Sequence, residues 1–284
     1  MTTTPQRLAG GLVFPEGPRW HDGRLWLSDM FASKVVTCTP DGAIETILDT
    51  GNVWPSGLGF LPDGSLVIAT MQDALLVRWD KGSTSTLADL SEYGNGEKFW
   101  GSVINDMVID GRGNLYVGVY GTGADHDESG IALRRMDGSV ELVAEGIAIA
   151  NGMVVTPDGK TLIIAELGSD HLSAFDVAED GKLQNRRVFA RVPGATPDGI
   201  CLDAEGAVWF GSVYTGVFYR VAEGGKVLDQ IEVDGFAVAP ALGGPDRKTL
   251  YLLTADTTKE LLQQGKADGY IEVVDVDVPG VGWP

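Results

Sequence analysis

The chain has 284 residues, and 40 acidic against 21 basic side chains give it a formal net charge of −19. This charge repels nucleic acid and anionic membrane surfaces, and no run of about 18 apolar residues marks a membrane span. The first residues lack the apolar stretch of a secretory signal, and both cysteines lie in apolar strand patterns, so we expect a cytoplasmic monomer or homodimer without disulfides.

A sequence pattern recurs along the chain every 40 to 50 residues or so, about the spacing of a repeat architecture. One copy, from Ser56 to Ile68, contains a polar residue, a glycine, an apolar strand, a Pro-Asp-Gly turn and a second apolar strand. Equivalent apolar anchors in successive copies are separated by 41, 49, 47, 46 and 42 residues, the last copy being degenerate. These anchors are Leu25, Leu66, Leu115, Leu162, Val208 and Leu250. Six copies predict six structural units.

Each copy predicts a four-stranded antiparallel blade. The Asp-Gly turn joins two strands into a hairpin, and the segments that follow, such as Ser173–Val177 and Arg187–Ala190, supply two outer strands. Radial closure of such blades protects the sheet edges. The sequence therefore predicts an all-β fold, one six-bladed β-propeller over residues 1–284, in which Tyr270–Val276 pairs with Gln6–Val13 to close the last blade.

The residues that open the innermost strands are predicted to form one ring around the propeller axis. In chain order they are Glu16, Ser56, Asn105, Asn151 and Asp198. Each carries a side-chain oxygen, and a hard divalent cation binds carboxylate and amide oxygens. The ring predicts a central metal-binding channel, and the alternative is a set of capped turns around a water-filled polar channel.

The second strand of each blade returns to the face at which the first strand began, so its last residue is predicted to rim the same mouth. These residues are Asp29, Thr70, Tyr120, Glu166 and Ser212. Four aromatic residues stand beside them in the sequence, with core packing as the competing interpretation: Trp54, Phe99, Trp100 and Tyr214. The acidic run 124–128 fits a second cation site, a lid or a solvated loop.

Several familiar chemistries are disfavoured. The three histidines have no His-x-x-His spacing and the cysteines no Cys-x-x-Cys spacing, which argues against a zinc site of that kind. The chain also lacks a Gly-x-Ser-x-Gly elbow and a phosphate-binding Gly-x-x-x-x-Gly-Lys loop. Serine-triad and nucleotide chemistry are therefore not expected.

In the order and spacing of its motifs, the sequence resembles the SMP-30/gluconolactonase/luciferin-regenerating-enzyme family over nearly its whole length. The motifs are Phe14–Trp20, Asn105–Asp106, Asn151–Met153, Pro197–Gly199 and Leu242–Asp246. The resemblance implies a six-bladed propeller that hydrolyses lactones and binds one divalent metal ion through Glu16, Asn151 and Asp198. Calcium is the ion we expect, with zinc and manganese as alternatives, and Asn105 is implied to lie beside it.

On this resemblance, Asp198 is expected to act as the catalytic base, with Asn105 orienting a lactone or ester substrate. Two departures from the family pattern concern the substrate: Val103 stands where sugar-lactone members often carry Arg, and Gly123 or a neighbour stands where they tend to carry Glu. We therefore expect a less polar lactone. The predicted substrate-binding residues are Asn105, Val103, Trp100, Tyr120, Glu166 and Tyr214. The alternatives are a non-catalytic, metal-stabilised ligand-binding propeller and a phosphotriesterase-like hydrolase.

Overall fold

The structure, a computed structural model, describes residues 4–123 and 128–282. Its strands form six four-stranded antiparallel sheets, which confirms the predicted all-β propeller with six blades. Within the described ranges, no helix is long and apolar enough to cross a membrane.

The chain begins with β1 (Gln6–Leu12) and then builds the first three complete blades in order. Blade 1 consists of β2 (Pro15–His21), β3 (Arg24–Asp29), β4 (Lys34–Cys38) and β5 (Ile44–Asp49). Blade 2 consists of β6 (Pro55–Phe60), β7 (Leu66–Thr70), β8 (Leu75–Asp80) and β9 (Ser83–Asp89). A 3₁₀ turn, Gly96–Lys98, precedes blade 3, which consists of β10 (Ile104–Ile109), β11 (Leu115–Thr122), β12 (Glu128–Arg134) and β13 (Val140–Ile147).

The remaining blades follow the same plan. Blade 4 consists of β14 (Ala150–Val155), β15 (Thr161–Glu166), β16 (His171–Val177) and β17 (Leu183–Arg191). Blade 5 consists of β18 (Pro197–Leu202), β19 (Val208–Ser212), β20 (Val217–Val221) and β21 (Val227–Glu232). Blade 6 contains β22 (Phe236–Gly243), β23 (Thr249–Asp256) and β24 (Asp268–Asp275), with the short helix α1 (Lys259–Leu262) between β23 and β24.

Blade 6 is completed by the first strand of the chain. β1 pairs antiparallel with β24, with Gln6 opposite Val273 and Leu12 opposite Gly269, which confirms the predicted closing blade. The innermost strand of each blade also contacts that of the next blade, and β22 contacts β2, so the inner strands form a closed ring. The unpaired edges of the inner strands therefore face the propeller axis, where they are protected from pairing with another chain.

The apolar core lies between neighbouring blades. All six anchors that revealed the repeat are completely buried, from Leu25 in blade 1 to Leu250 in blade 6. Each anchor begins or nearly begins the second strand of its blade, where alternate side chains face an adjacent sheet. The repeat is therefore visible in the sequence because each blade must fill the same kind of interface.

Candidate functional site

Every inner strand has a register irregularity at the same place, and the predicted ring residues lie in it. In β2 the shift falls between Glu16 and Arg19, and in β14 between Ala150 and Met153. A bulge of this kind turns a side chain out of the regular alternation, here toward the propeller axis. In β22 the shift leaves Val238 at the equivalent position, so the sixth ring residue is apolar.

Glycine follows the ring residue in four of the blades because the inner strands nearly touch. A Cβ on Gly57 would lie 2.4 Å from the backbone nitrogen of Met107, and one on Gly152 would lie 2.6 Å from that of Ile200. Real Cβ atoms do not approach a backbone so closely. Glycine therefore follows the ring residue in these blades because no larger residue fits between neighbouring inner strands.

A cavity of about 280 Å³ opens above this ring. Four of the ring residues line its floor: Glu16, Asn105, Asn151 and Asp198. All four are more than nine-tenths buried. Ser56 lies just behind them, and its hydroxyl donates a hydrogen bond of 2.7 Å to Oδ1 of Asn105. The structure thus brings the predicted metal-binding and catalytic residues together in one place.

The walls of the cavity are mainly apolar. Two connections contribute to them: the segment 90–103 between blades 2 and 3, and the segment 257–267 that contains α1. The apolar and aromatic lining residues are Phe14, Met30, Trp54, Met71, Phe99, Trp100, Ile149, Leu167, Val213, Tyr214 and Leu262. Of the predicted substrate residues, Asn105, Trp100, Tyr120 and Tyr214 line the cavity.

Two lining residues adopt a backbone conformation that is rare for their type. Trp100 has a φ of 56° and Ile149 a φ of 59°, both in the left-handed region. Bulky and β-branched side chains are strained there, at a cost of about 1 to 3 kcal/mol each. Trp100 is also 59% exposed at the mouth, although it is a large apolar side chain. Backbone strain of this kind is concentrated at functional sites in proteins generally.

The floor residues form few hydrogen bonds with one another. Glu16 accepts from the backbone N–H of Gly17 at 3.2 Å, and Asn151 Oδ1 accepts from that of Gly152 at 2.8 Å. The amide of Asn151 also bonds to the Asp198 carboxylate. Oδ1 of Asp198, however, is buried without a partner among the described residues. Such an orphaned carboxylate oxygen is costly unless a cation or water binds it.

Burial and mutual repulsion make these carboxyl groups hard to ionise. Burial raises the pKa of Glu16 well above its usual value, and the nearby Asp198 and Asp106 carboxylates raise it further. Burial likewise raises the pKa of Asp198, with Asp106 adding to the effect. Three acidic groups therefore share one enclosed site, where a bound cation would lower their pKa values again.

Asp106 and Arg19 are two charged residues next to the floor whose interaction the sequence did not predict. Burial raises the pKa of Asp106, and Arg19 opposes this rise through its positive charge. Burial in turn lowers the pKa of Arg19, whose guanidinium donates to the carbonyls of Met107 at 2.7 Å and Pro18 at 2.8 Å. The available signal was that Asp106 stands where the other clear copies of the repeat have glycine.

Val103, a predicted substrate-binding residue, is not among the residues that line the cavity. Its side chain packs against the apolar core of blades 2 and 3, and one of its methyl groups lies near Gly94. Its backbone connects the two blades, since its N–H donates to Met71 and its carbonyl accepts from Tyr120. A direct contact between Val103 and the substrate stays a prediction, and its place in the core does not favour it.

Glu166, another predicted substrate-binding residue, is also not among the residues that line the cavity. Its carboxylate accepts from the backbone N–H of Ala148 at 3.0 Å, from Arg186 at 2.7 Å and from the hydroxyl of Ser173. Burial alone would raise the pKa of Glu166, but these hydrogen bonds outweigh it and the pKa lies below its usual value. Glu166 thus anchors the loop that leads into β14.

The residues that end the second strands of blades 1 and 5 also hold a loop in place through hydrogen bonds. Asp29 accepts from the backbone N–H groups of Val13 and Phe14, and Ser212 accepts from that of Thr196. Each fixes the loop before an inner strand, and of the five predicted rim residues Tyr120 alone lines the cavity. Its hydroxyl bonds to Asn105, and burial followed by the neighbouring acidic groups raises its pKa, which keeps the phenol neutral.

The acidic run 124–128 lies mostly outside the described residues, since positions 124–127 are not part of the ranges given above. Its prediction as a second cation site stays a prediction. Gly123, at the edge of this run, lies close to the carboxylate of Glu128.

The donor set of the floor suits a hard divalent cation. It offers oxygen atoms only, from the carboxylates of Glu16 and Asp198 and the amides of Asn105 and Asn151, and one carboxylate oxygen lacks a partner among the described residues. Across the parts of the chain that the structure describes, no group of three or more His, Cys, Asp and Glu side chains is placed to hold a metal. Metal binding at the floor would therefore depend on the asparagine oxygens.

Comparison with known proteins agrees with this architecture. Residues 14–256 match the SMP-30/gluconolactonase/LRE-like region. The chain belongs to this family. A 6-deoxy-6-sulfogluconolactonase of Pseudomonas putida is 25% identical over 283 residues, covering 96% of this chain and 94% of that protein. Pentonolactonase XacC of Haloferax volcanii is 28% identical over 251 residues, covering 84% of this chain and 81% of that protein.

The fold of this family member is also seen in solved structures. A luciferin-regenerating enzyme superposes with a TM-score of 0.79 at 20% identity, covering 96% of this chain and 95% of that chain. At this identity the similarity concerns the fold.

Proposed function

We propose that this protein is a divalent-metal-dependent lactonase with its active site in the cavity above the channel ring. The observation that carries the proposal is the floor itself, where Glu16 and Asp198 are buried together and Asp198 Oδ1 has no partner among the described residues. Relatives named as lactonases supply the reaction class. Calcium is the proposed ion, with zinc and manganese as alternatives.

Glu16, Asn151 and Asp198 are the proposed metal ligands. A divalent ion at this place would polarise the lactone carbonyl as a Lewis acid and lower the pKa of a bound water molecule. Its charge would also keep the Glu16 and Asp198 carboxylates ionised, which burial otherwise opposes.

In the proposed reaction, Asp198 accepts a proton from the attacking water while the water oxygen bonds to the carbonyl carbon. The ring C–O bond then breaks, and the alkoxide leaving group takes up a proton to give the hydroxy acid. Asn105 is held by Ser56 and by the Tyr120 hydroxyl, so its amide is fixed in orientation. This rigidity suits a group that orients the substrate carbonyl.

A less polar lactone is the proposed substrate. The support is the wall of the cavity, where aromatic, aliphatic and methionine side chains outnumber polar ones. Apolar walls favour substrates by burying their surface but discriminate weakly, at about 1 to 3 kcal/mol per group. Dihydrocoumarin and γ-valerolactone should therefore be hydrolysed with higher kcat/KM than gluconolactone.

The test is a pH-stat assay of these three lactones and an organophosphate triester, with the protein metal-loaded or treated with chelator. Chelator-sensitive turnover of a lactone, lost in Glu16→Ala while the far-UV spectrum is unchanged, is the expected result. Turnover of the triester alone would support the phosphotriesterase alternative. Metal binding without turnover of any substrate would instead identify a non-catalytic binding propeller.

A further inference from the structure

A second, smaller cavity lies on the propeller axis below the ring. Its volume is about 50 Å³, and residues from five inner strands line it, among them Arg19, Val108, Val155 and Cys201. These residues follow the ring residues along their strands, so this lower cavity is at the opposite end of the channel from the proposed active site.

The C-terminal segment of the described chain covers the lower cavity. The N–H of Gly280 donates to the carbonyl of Arg247 at 2.8 Å, and that of Val281 donates to the carbonyl of Leu202 at 3.0 Å. Val281 and Gly282 are themselves lining residues. The lower cavity is thus a formed chamber held by backbone hydrogen bonds.

Two guanidinium groups line this chamber. Arg19 uses two of its donors on the carbonyls of Pro18 and Met107, which leaves three of its five N–H groups. Arg247, in the turn between β22 and β23, has no side-chain hydrogen bond or salt bridge to any residue in the described ranges. Its Nε is buried and without a partner there.

No acidic side chain is among the described lining residues of the lower cavity. In a chain with 40 acidic and 21 basic residues, two arginines that line one cavity without a carboxylate are unexpected for packing alone. Asp106, above the cavity, interacts with Arg19, whereas Arg247 has no salt-bridge partner among the described residues. The cysteine between them does not supply a negative charge, because burial raises the pKa of the Cys201 thiol.

We propose that the lower cavity binds a small oxyanion, the chemistry shared by phosphate and carboxylate groups, between Arg19 and Arg247. A water molecule needs about 10 to 15 Å³ of such space, so the volume of about 50 Å³ suits a group of roughly three to five heavy atoms. Guanidinium groups match planar or tetrahedral oxyanions through paired N–H donors. This site is separate from the lactonase floor and does not depend on that function.

The experiment is a titration of the full-length protein with sodium phosphate, and separately with sodium acetate, against sodium chloride at constant ionic strength. Binding is followed by isothermal calorimetry and by the shift in Tm, since a ligand of the folded state raises Tm in a saturable manner. Arg247→Gln should weaken binding by roughly tenfold or more, the loss expected for a charge-assisted hydrogen bond. Arg247→Lys, which keeps the charge, should bind with intermediate affinity.

The matched control is Arg24→Gln, which removes an exposed arginine paired with Glu45 at 3.0 Å on blade 1. This variant should bind phosphate as the unaltered protein does. Equal binding by Arg247→Gln, or no saturable binding of either anion to the unaltered protein, would overturn the proposal.

Positions 283 and 284 lie outside the described residues, so the titration is repeated on a chain that ends at Gly282. Equal affinity in both chains is expected if the chamber takes a free anion. Binding that appears only in the shortened chain would refute a site for free anions in the full-length protein.

Discussion

Replacing Asp198 by asparagine should stabilise the metal-free protein while it removes activity. Asp198 is buried beside Asp106 and Glu16, and its Oδ1 has no partner among the described residues. A buried polar or charged group left without a partner costs about 1 to 3 kcal/mol. The asparagine side chain would keep the shape and lose the charge, so the free energy of unfolding should rise by about that amount, or roughly 2 to 10 °C in Tm.

The gain should depend on pH in a defined way. The pKa of Asp198 is raised in the folded protein, so below the unfolded value of about 4 the group is neutral in both states and the substitution changes little. As pH rises from about 4 through the folded pKa, the unaltered protein progressively loses stability relative to Asp198→Asn. Above the folded pKa the difference becomes constant.

Adding calcium should reverse the order of stability. A ligand at 1,000 times its Kd stabilises the folded state by about 4.1 kcal/mol, which exceeds the gain from the substitution, and only the protein with an intact floor should gain this. Thermal melts with chelator and with calcium, at several pH values, measure both effects. Lactone turnover should fall by about 100-fold or more, the usual contribution of a general base.

Asp203→Asn provides the matched control. Asp203 is equally buried but fully paired, since Arg220 donates to it from Nη2 at 2.6 Å and from Nε at 2.7 Å. Its replacement should destabilise the protein by about 1 to 3 kcal/mol with or without metal, because charge-assisted hydrogen bonds are lost while Arg220 keeps its ion pair with Glu205. If Asp198→Asn in chelator behaves like this control, the floor carboxylate is not an uncompensated charge and the reasoning fails.

Four further variants test the placement of individual residues. Glu166→Gln should lower the free energy of unfolding by about 1 to 3 kcal/mol at pH 7. The loss should become smaller as pH falls through the lowered folded pKa of Glu166, and kcat/KM of the folded enzyme should not change. A large loss of kcat would show that Glu166 acts in the active site. Val103→Arg should destabilise the protein, seen as a lower denaturation midpoint, without shifting preference toward gluconolactone. Trp100→Ala should raise KM for dihydrocoumarin by about tenfold and change gluconolactone hydrolysis little, whereas equal effects on both would contradict an apolar wall. Gly152→Ala should lower Tm strongly, since its Cβ would lie 2.6 Å from a backbone nitrogen, and an unchanged Tm would show that the ring can expand.

The sequence by itself determined the fold and the ring. The repeat is legible because each of six blades buries an anchor such as Leu66 or Leu162 in the same kind of interface. Glu16, Asn151 and Asp198 were found because a closed propeller brings equivalent positions of every copy to one axis. Because the blades are related by the propeller symmetry, residues at equivalent positions of the sequence repeat lie close together in the structure.

What only the tertiary structure decided is the direction and surroundings of individual side chains outside that symmetry. Val103 and Glu166 stand next to site residues in sequence, yet neither lines the cavity. Val103 packs in the core between blades 2 and 3, and Glu166 forms an ion pair with Arg186. Asp106 and Arg19 meet only because two different blades converge below the floor. Such contacts depend on how neighbouring blades face each other, and the spacing of residues along the chain does not determine that.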